Sequence, residues 1–456
     1  VVIKVFLLGA GNRGTIYSEY IAEHSDIIEL VGVADPNKVR AEKILNLHHL
    51  SESAYFSDWE DFCQQEIEVD AVIISLPDNL HFKAAKYCIS AGYHCLLEKP
   101  IATNPVEVKE LVTLAEQTDK VIQVCHVLRY SPFYQKIKQL LDKNILGEII
   151  SVEMAENVSY YHYAHSYIRG NWANRDQTAP MILTKCSHDL DLMIWLLRAQ
   201  PKYLSSFGNL HYFGKKNKPD GAPSHCTDGC PIAATCPYYA PRIYLDIEPL
   251  LHANRNDAGF AERTFINLAL KYPRLKNVFP FSQINSYDGW PVNVITEDPT
   301  YANRLSAIQT GPYGRCVYDV DEHNVIDNQV VSLLFDNEVT VSFRLIGHSS
   351  EEERTIRIDG TLGTLKGRFS FTGNHLELID KLSGDHSTLI NHAIKGGHGG
   401  GDQGIMDDFV ANIQDPSRPV QTSLTHSSIS HMMAFAADLS RLTSETVEFV
   451  KFRENV

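Results

Sequence analysis

Fourteen residues at the start of the chain constrain its fold more than any others. Val1-Val2-Ile3-Lys4-Val5-Phe6-Leu7-Leu8 is an apolar run with β-branched residues, and it ends directly in Gly9-Ala10-Gly11-Asn12-Arg13-Gly14. The pattern predicts a buried strand turning into a helix that starts near Thr15 and ends near Glu23. In such a turn Gly9 permits the tight reversal and Gly11 lets backbone N–H groups approach a pyrophosphate. Gly14 lets the helix pack closely on the sheet. The helix N-terminus, with Asn12 and Arg13, then faces the phosphates with its positive dipole end. Glycine-rich turns are common, so the next element supplies the test. Glu29-Leu30-Val31-Gly32-Val33-Ala34-Asp35 is a second apolar strand ending in an acid. Asp35 falls roughly 21 residues after Gly14, where a carboxylate would bind the 2′ and 3′ hydroxyls of an adenosine ribose. The alternative is an ordinary strand–turn–helix with a solvated Asp.

Alternation continues downstream. Residues 69–76 form a strand apolar on both faces, as parallel strands are. It ends in Ser75-Leu76-Pro77-Asp78-Asn79-Leu80-His81, at the carboxyl end of the strand, where doubly wound sheets place ligands. Ser75, Leu76, Pro77, Asn79 and His81 are therefore candidate cofactor contacts. Residues 93–97 form the next strand and deliver Glu98-Lys99-Pro100. Asn104-Pro105 caps another helix, and residues 121–126 are a strand ending in His126. This is a Rossmann domain over residues 1–127, with a doubly wound parallel sheet.

At 456 residues the chain calls for a second domain. Residues 128–456 read as an α+β domain with a largely antiparallel sheet, built from residues 147–153, 330–346, 354–366 and 376–382. Residues 180–197 contain Thr184-Lys185-Cys186-Ser187-His188-Asp189-Leu190-Asp191 followed by an apolar helix ending near 197, and residues 402–413 and 425–442 read as amphipathic helices. From about 210 to 315 periodicity is weak, which marks a functional insertion rather than a bare loop. The net charge of −15 argues against a nucleic-acid or acidic-membrane surface. With no span-length apolar run and no basic-then-apolar leader in the sequence given, a cytoplasmic protein is expected. Most of the nine cysteines are then expected to be buried thiols.

The glycine turn, Glu98-Lys99-Pro100, and His188-x-x-Asp191 before an apolar helix together resemble the glucose–fructose oxidoreductase, inositol dehydrogenase and MocA (Gfo/Idh/MocA) family. The resemblance covers nearly the whole chain apart from the insertion. It implies a two-domain sugar or polyol oxidoreductase using NAD or NADP, with a cis-proline turn at Lys99-Pro100. A homo-oligomer, dimer or tetramer, is expected through the C-terminal sheet.

The residues make chemical sense beside the name. Oxidising a secondary alcohol needs a hydride acceptor and a base for the hydroxyl proton. Lys99, at a strand's carboxyl end, can hydrogen-bond the reacting oxygen and stabilise developing charge. His188 is the natural general base, because imidazole titrates near neutral pH. The alternative is that Ser187, His188 and Asp189 cap the following helix. Many family dehydrogenases carry an Asp four residues before this His, whereas this chain has Thr184, with Lys185 beside it. A hydroxyl cannot hold the negative charge that raises a neighbour's basicity. Arg129, Tyr167, Trp172, Thr184, Lys185, Asp191 and His398 are candidate substrate contacts, since aromatic faces with polar rims suit a sugar ring. His398 lies in a glycine loop, Lys395 to Asp402, whose Asp402 is expected to cap the next helix.

Cys226, Cys230, Cys236 and Cys316, with His225, leave three options open: free thiols, a structural metal, or disulfides. The insertion is expected to serve structure or assembly rather than hydride transfer. NAD is favoured over NADP because Asp35 repels a 2′-phosphate, although Lys38 and Arg40 lie near enough to weaken that preference. Two other functions stay open. One is an NAD-dependent glycoside hydrolase working by transient sugar oxidation, and the other a catalytically silent cofactor-binding regulator.

Overall fold

The computed structural model describes residues 2–65, 67–319, 323–370, 373–392 and 397–456. Val1 and the start of the glycine loop, Lys395 and Gly396, lie outside the described residues. Two sheets organise the chain. The first comprises β1 (Ile3–Leu8), β2 (Ile28–Ala34), β3 (Tyr55–Phe56), β4 (Ala71–Ile74), β5 (His94–Leu97) and β6 (Ile122–Val124). Their order is β3-β2-β1-β4-β5-β6, and every pairing is parallel. β1 and β4 are buried almost throughout, because helices cover both faces of such a sheet. The expected doubly wound fold is present.

The first helix runs Asn12–Glu23, so it begins inside the glycine motif rather than at Thr15. Two glycines explain the turn. Gly9 has φ +95, and a Cβ there would lie 2.5 Å from the Ser75 carbonyl oxygen. A Cβ on Gly14 would lie 2.0 Å from the Gly9 carbonyl oxygen, so helix and turn touch backbone to backbone.

The second sheet contains β7 (Ile149–Ser159), β8 (Pro201–Asn209), β9 (Asn328–Phe335), β10 (Thr340–Ser349), β11 (Glu353–Gly360), β12 (Gly363–Ser370), β13 (Asn374–Asp380), β14 (His386–His392) and β15 (Val447–Glu448). Its order is β14-β13-β12-β11-β7-β10-β9-β8-β15. Only the β7–β10 pairing is parallel, so the expected largely antiparallel sheet is present. Strict alternation buries Val331, Leu333 and Phe335 on β9 and Val341, Phe343 and Leu345 on β10. The opposite face leaves Ile150, Phe207 and Val330 exposed.

The apolar helix expected to end near 197 is present as Ser187–Leu197, preceded by a short helix at Met181–Thr184. Two local expectations change. The region of weak periodicity is mainly short helices, Ala240–Tyr244, Glu248–Asp257, Phe260–Lys271, Val292–Ile295 and Tyr301–Thr310. They pack into two small cores, one around Tyr244 and Ile308, the other around Leu251 and Ile266. Asp402 does not cap its helix: Gly400 holds that position at φ 85, and the Asp402 carboxylate is engaged elsewhere. The Leu424–Thr443 helix packs against Pro105–Ala115, Ser187–Leu197 and β8, and so joins the two sheets.

Gly14→Ala should destabilise the protein by about 1–3 kcal/mol or more, the usual range for overpacking. Urea unfolding measures it; a variant as stable as the parent would contradict the backbone contact.

Candidate functional site

The carboxyl ends of β1, β2, β4 and β5 open into one large crevice, roughly 2520 Å³, that continues across the second domain. Its position matches the switch point of the sheet, between β1 and β4, where chain order reverses. Gly9, Gly11, Asn12, Arg13, Asp35, Ser75, Leu76, Pro77, Asn79, His81, Glu98 and Lys99 line it from the first domain. Trp172, His188 and His398 line it from the second.

The glycine turn carries the clearest fit to a dinucleotide. A Cβ on Gly11 would meet nothing within 4 Å, unlike one on Gly9 or Gly14. Packing within the chain therefore gives no reason for a glycine there, whereas a ligand lying against the helix N-terminus does. Asp35 ends β2 with one oxygen accepting from Ala10 N at 2.7 Å and the other from Asn37 N at 2.7 Å. His81 binds the carbonyls of Pro100 and Leu76 at 2.6 and 2.7 Å, bracing the loop after β4 against the Lys99-Pro100 turn. That peptide bond is cis.

Arg13 turns inward instead of outward. Its guanidinium bonds Glu98 at 2.5 Å, Asp402 at 2.8 Å and the Tyr17 hydroxyl at 2.5 Å. Tyr17 in turn donates to Glu98. Burial alone would raise the Glu98 carboxyl, but Arg13 and Lys99 hold it below its ordinary range. Asp402 is likewise held low, because its bonds to His398 and Arg13 outweigh burial. His398 Nδ1 lies 3.0 Å from both Asp402 oxygens, so the described end of the glycine loop is fixed against the glycine turn.

Lys99 reaches across to the second domain, where Nζ donates to the Thr184 carbonyl at 3.0 Å. Burial lowers its pKa, opposed by Glu98 and Asp78. His188 lies at the start of its helix, whose N-cap is Cys186 with no side-chain cap bond. Its ring stands 5.6 Å from His126 and 6.1 Å from His398, and its Nδ1 is buried without a partner. Burial, then the neighbouring Lys99, His126 and His398, push its pKa well below the ordinary value. His126 falls to about 4, chiefly through burial.

The remaining candidates stand behind the wall. Arg129 donates to both oxygens of Asp191 at 2.6 Å, forming a buried bidentate pair. The Thr184 hydroxyl turns to the Met181 carbonyl, and Lys185 pairs with Glu156 and Glu352 at 3.3 and 3.2 Å. Tyr167 stacks on Trp172, whose Nε1 donates to Asp78 at 2.8 Å across the domain junction. Cys226, Cys230, Cys236 and Cys316 gather with Arg169 around a single small void, and all nine cysteines are free thiols. Among the described residues no group of three or more His, Cys, Asp or Glu side chains could hold a metal ion.

The insertion roofs the crevice. Trp290, Tyr313, Arg315, His252 and Glu297 line it, with Trp290 packed on His162 and Tyr313 stacked on His165. Weak periodicity gave no hint of these residues, because each comes from a short segment positioned by long-range packing.

A dinucleotide-binding sheet facing an α/β domain across such a crevice defines a two-domain oxidoreductase class. Residues 3–126 match the model described as "Oxidoreductase family, NAD-binding Rossmann fold", and residues 138–227 match "Oxidoreductase family, C-terminal alpha/beta domain". Both are domain models of the Gfo/Idh/MocA oxidoreductase family, matched here over residues 3–126 and 138–227. It is 23% identical over 417 residues to the protein YteT of Bacillus subtilis (strain 168), covering 88% of this chain and 85% of the relative. A myo-inositol 2-dehydrogenase from Lactobacillus plantarum shares the fold at TM-score 0.62 and 13% identity, covering 98% of this chain and 99% of that one. An Agrobacterium radiobacter oxidoreductase in complex with NAD+, L-tartaric acid and magnesium does so at TM-score 0.64 and 13% identity, with 99% of each chain covered. No helix among the described residues is long and apolar enough to cross a membrane.

The buried histidines make stability depend on pH. Below about pH 6.5 an unfolded His gains a proton, whereas folded His126, lowered to about 4, and His188, held well below its ordinary value by burial, do not. The unfolded state then binds more protons, so stability is full above that range and is lost as pH falls toward 4. The depressed carboxyls of Glu98 and Asp402 add a further loss at still lower pH. The urea midpoint should fall between pH 7 and pH 5; an unchanged midpoint would refute this.

Proposed function

We propose that the chain transfers hydride between NAD(H) and a hydroxyl-bearing carbon of a sugar or cyclic polyol. The observation that carries the reading is that Lys99, after β5, and His188, on the Ser187–Leu197 helix, line the same crevice as the glycine turn. Gly11, the N-terminus of the Asn12–Glu23 helix, Asp35 and the Ser75–Pro77 segment would hold the dinucleotide. Asp35 favours NAD, since a carboxylate repels a 2′-phosphate. When bound, the nicotinamide supplies hydride exchange.

The chain's own residues do the rest. Lys99 donates a hydrogen bond to the reacting oxygen and stabilises its developing negative charge. His188, neutral at pH 7 because burial and nearby cations disfavour its charged form, accepts the hydroxyl proton. Trp172, backed by the buried Tyr167, supplies an apolar face for a ring, and His398 a polar edge. The fold's sharing with a myo-inositol 2-dehydrogenase is compatible with such a substrate.

A second reading is an NAD-dependent glycoside hydrolase, favoured by the way the insertion ties itself over the Asp35 end through Glu297 and Arg40. Such a roof suits a cofactor retained through a full cycle. Screening sugars and glycosides with NAD+ separates the two, because the hydrolase forms product with no net change in NADH absorbance.

Lys99→Ala or His188→Ala should lower kcat by roughly 10²–10⁴-fold with NAD+ affinity little changed. The acid limb of oxidation should lie below the ordinary His range and vanish in the His188 variant. Full activity in either variant would sink the assignment.

We also propose self-association through the open face of the second sheet, where Phe207, Val330 and Ile150 are exposed. Sedimentation velocity should give a dimer or tetramer, and Phe207→Glu should weaken it; a monomeric parent at micromolar concentration would contradict this.

A further inference from the structure

The three cations that follow β2 are all engaged by acids. Lys38 Nζ lies 2.5 Å from Glu52 and 3.9 Å from Glu42. Arg40 Nε bonds Glu297 at 2.6 Å, and Lys43 Nζ lies 3.8 Å from the other oxygen of the same carboxylate. Asn37 Nδ2 also donates to Glu297, at 2.8 Å. Glu297 comes from the insertion, between helices Val292–Ile295 and Tyr301–Thr310, and it lines the crevice together with Asp35, Asn37, Arg40 and Lys43.

This arrangement bears on a specific chemical choice. A phosphorylated adenosine ribose needs cations and donors beside the 2′ position, and the segment after β2 is the place that supplies them. Here Asn37, Arg40 and Lys43 have the right chemistry for a 2′-phosphate, yet one carboxylate holds all three. We propose that Glu297, carried in by the insertion, sets the choice between a free and a phosphorylated adenosine ribose by sequestering Arg40, Lys43 and Asn37. The 2′ position then faces two carboxylates, Asp35 and Glu297, and no uncompensated cation from this segment. The proposal rests on the reading that a nicotinamide dinucleotide binds along the glycine turn.

Two features make Glu297 more than a surface ion pair. It accepts from Asn37, whose own backbone N–H is bound to Asp35, so the acid that would meet the ribose and the acid from the roof share one residue. It is also only 30% exposed, against 64% for Lys43, so its attachment to Arg40 is partly sheltered from solvent screening. Glu297 therefore acts as a specificity residue through electrostatics, outside the hydride-transfer machinery.

Calorimetry on the full chain with NAD+ and with NADP+ tests this. The parent should bind NAD+ more tightly than NADP+. Glu297→Gln keeps the shape, removes the charge and frees the cations, so NADP+ should bind about tenfold more tightly or better, with NAD+ changed by less than about twofold. The gain should shrink in roughly 1 M salt, where the Debye length is about 3 Å, and should fall in the Glu297→Gln/Arg40→Ala double variant, which leaves only Lys43 and Asn37 released; an undiminished gain there would overturn the proposal. Arg40→Ala alone guards against a misfolded Glu297 variant: a held Arg40 contributes little, so NADP+ affinity should barely move, and a large loss would overturn the proposal. Unchanged NADP+ affinity in Glu297→Gln, or equal shifts for both dinucleotides, would overturn it while leaving the oxidoreductase reading intact. If the parent binds neither dinucleotide, the functional reading fails and this proposal falls with it.

Discussion

The site depends first on the charge cluster around Arg13. One guanidinium holds together three segments: the glycine turn it belongs to, the end of β5 through Glu98, and the Gly401–Gln414 helix through Asp402. A buried ion is costly unless its partners are close and its hydrogen bonds are filled. Here two carboxylates and the Tyr17 hydroxyl meet that requirement, and Glu98 uses its second oxygen to accept from Lys99 N at 3.1 Å. The cluster therefore sets the backbone beside Lys99 as well as the glycine turn. Through Asp402 it also holds His398, so the two domains meet on shared charges rather than on shape alone.

A second tie lies at the other side of the crevice. Trp172 donates to Asp78, and Lys99 to the Thr184 carbonyl, each bond running from one domain to the other. The Leu424–Thr443 helix completes the junction, with Val124 N donating to the Thr422 carbonyl just before it. The crevice is thus bounded on several sides by fixed contacts. Such a frame suits a reaction in which a donor, an acceptor and a base must hold one geometry.

Much of the frame was legible because it is local. The run into Gly9–Gly14, the acid at Asp35 and the apolar strand into Glu98-Lys99-Pro100 each carry their structure within a few residues. The strands of the second sheet were legible where alternation is strict, as in β9 and β10, but β8 and its pairing were not. Nothing local says that β7 lies between β10 and β11, because register depends on chain segments far apart. The same limit hid the roles of single residues. Asp402 follows a run of glycines and so looks like a helix cap, yet a half-buried Arg13, 389 positions away, captures its carboxylate. Arg40 and Glu297 are 257 positions apart, and the insertion's helices are too short to show a period. Asp191 had the spacing to share a helix face with His188, but Arg129 claims both its oxygens.

The substitution of Thr184 for the family's acid takes on physical meaning in this setting. An acid there would place a negative charge beside Lys99 and His188, holding protons on both. Thr184 offers only a backbone carbonyl to Lys99, and its hydroxyl turns away to Met181. Lys99 still has Glu98 and Asp78 to oppose its desolvation, but His188 has Lys99, His126 and His398 around it, all acting against its charged form. In the proposed reaction His188 is then ready to accept a proton at neutral pH but holds it weakly. The proton must leave promptly for solvent or a product oxygen, and the cationic partner that stabilises the developing alkoxide is Lys99 alone. In the proposed reaction the two tasks are thus separate, with charge stabilisation assigned to Lys99 and proton transfer to His188.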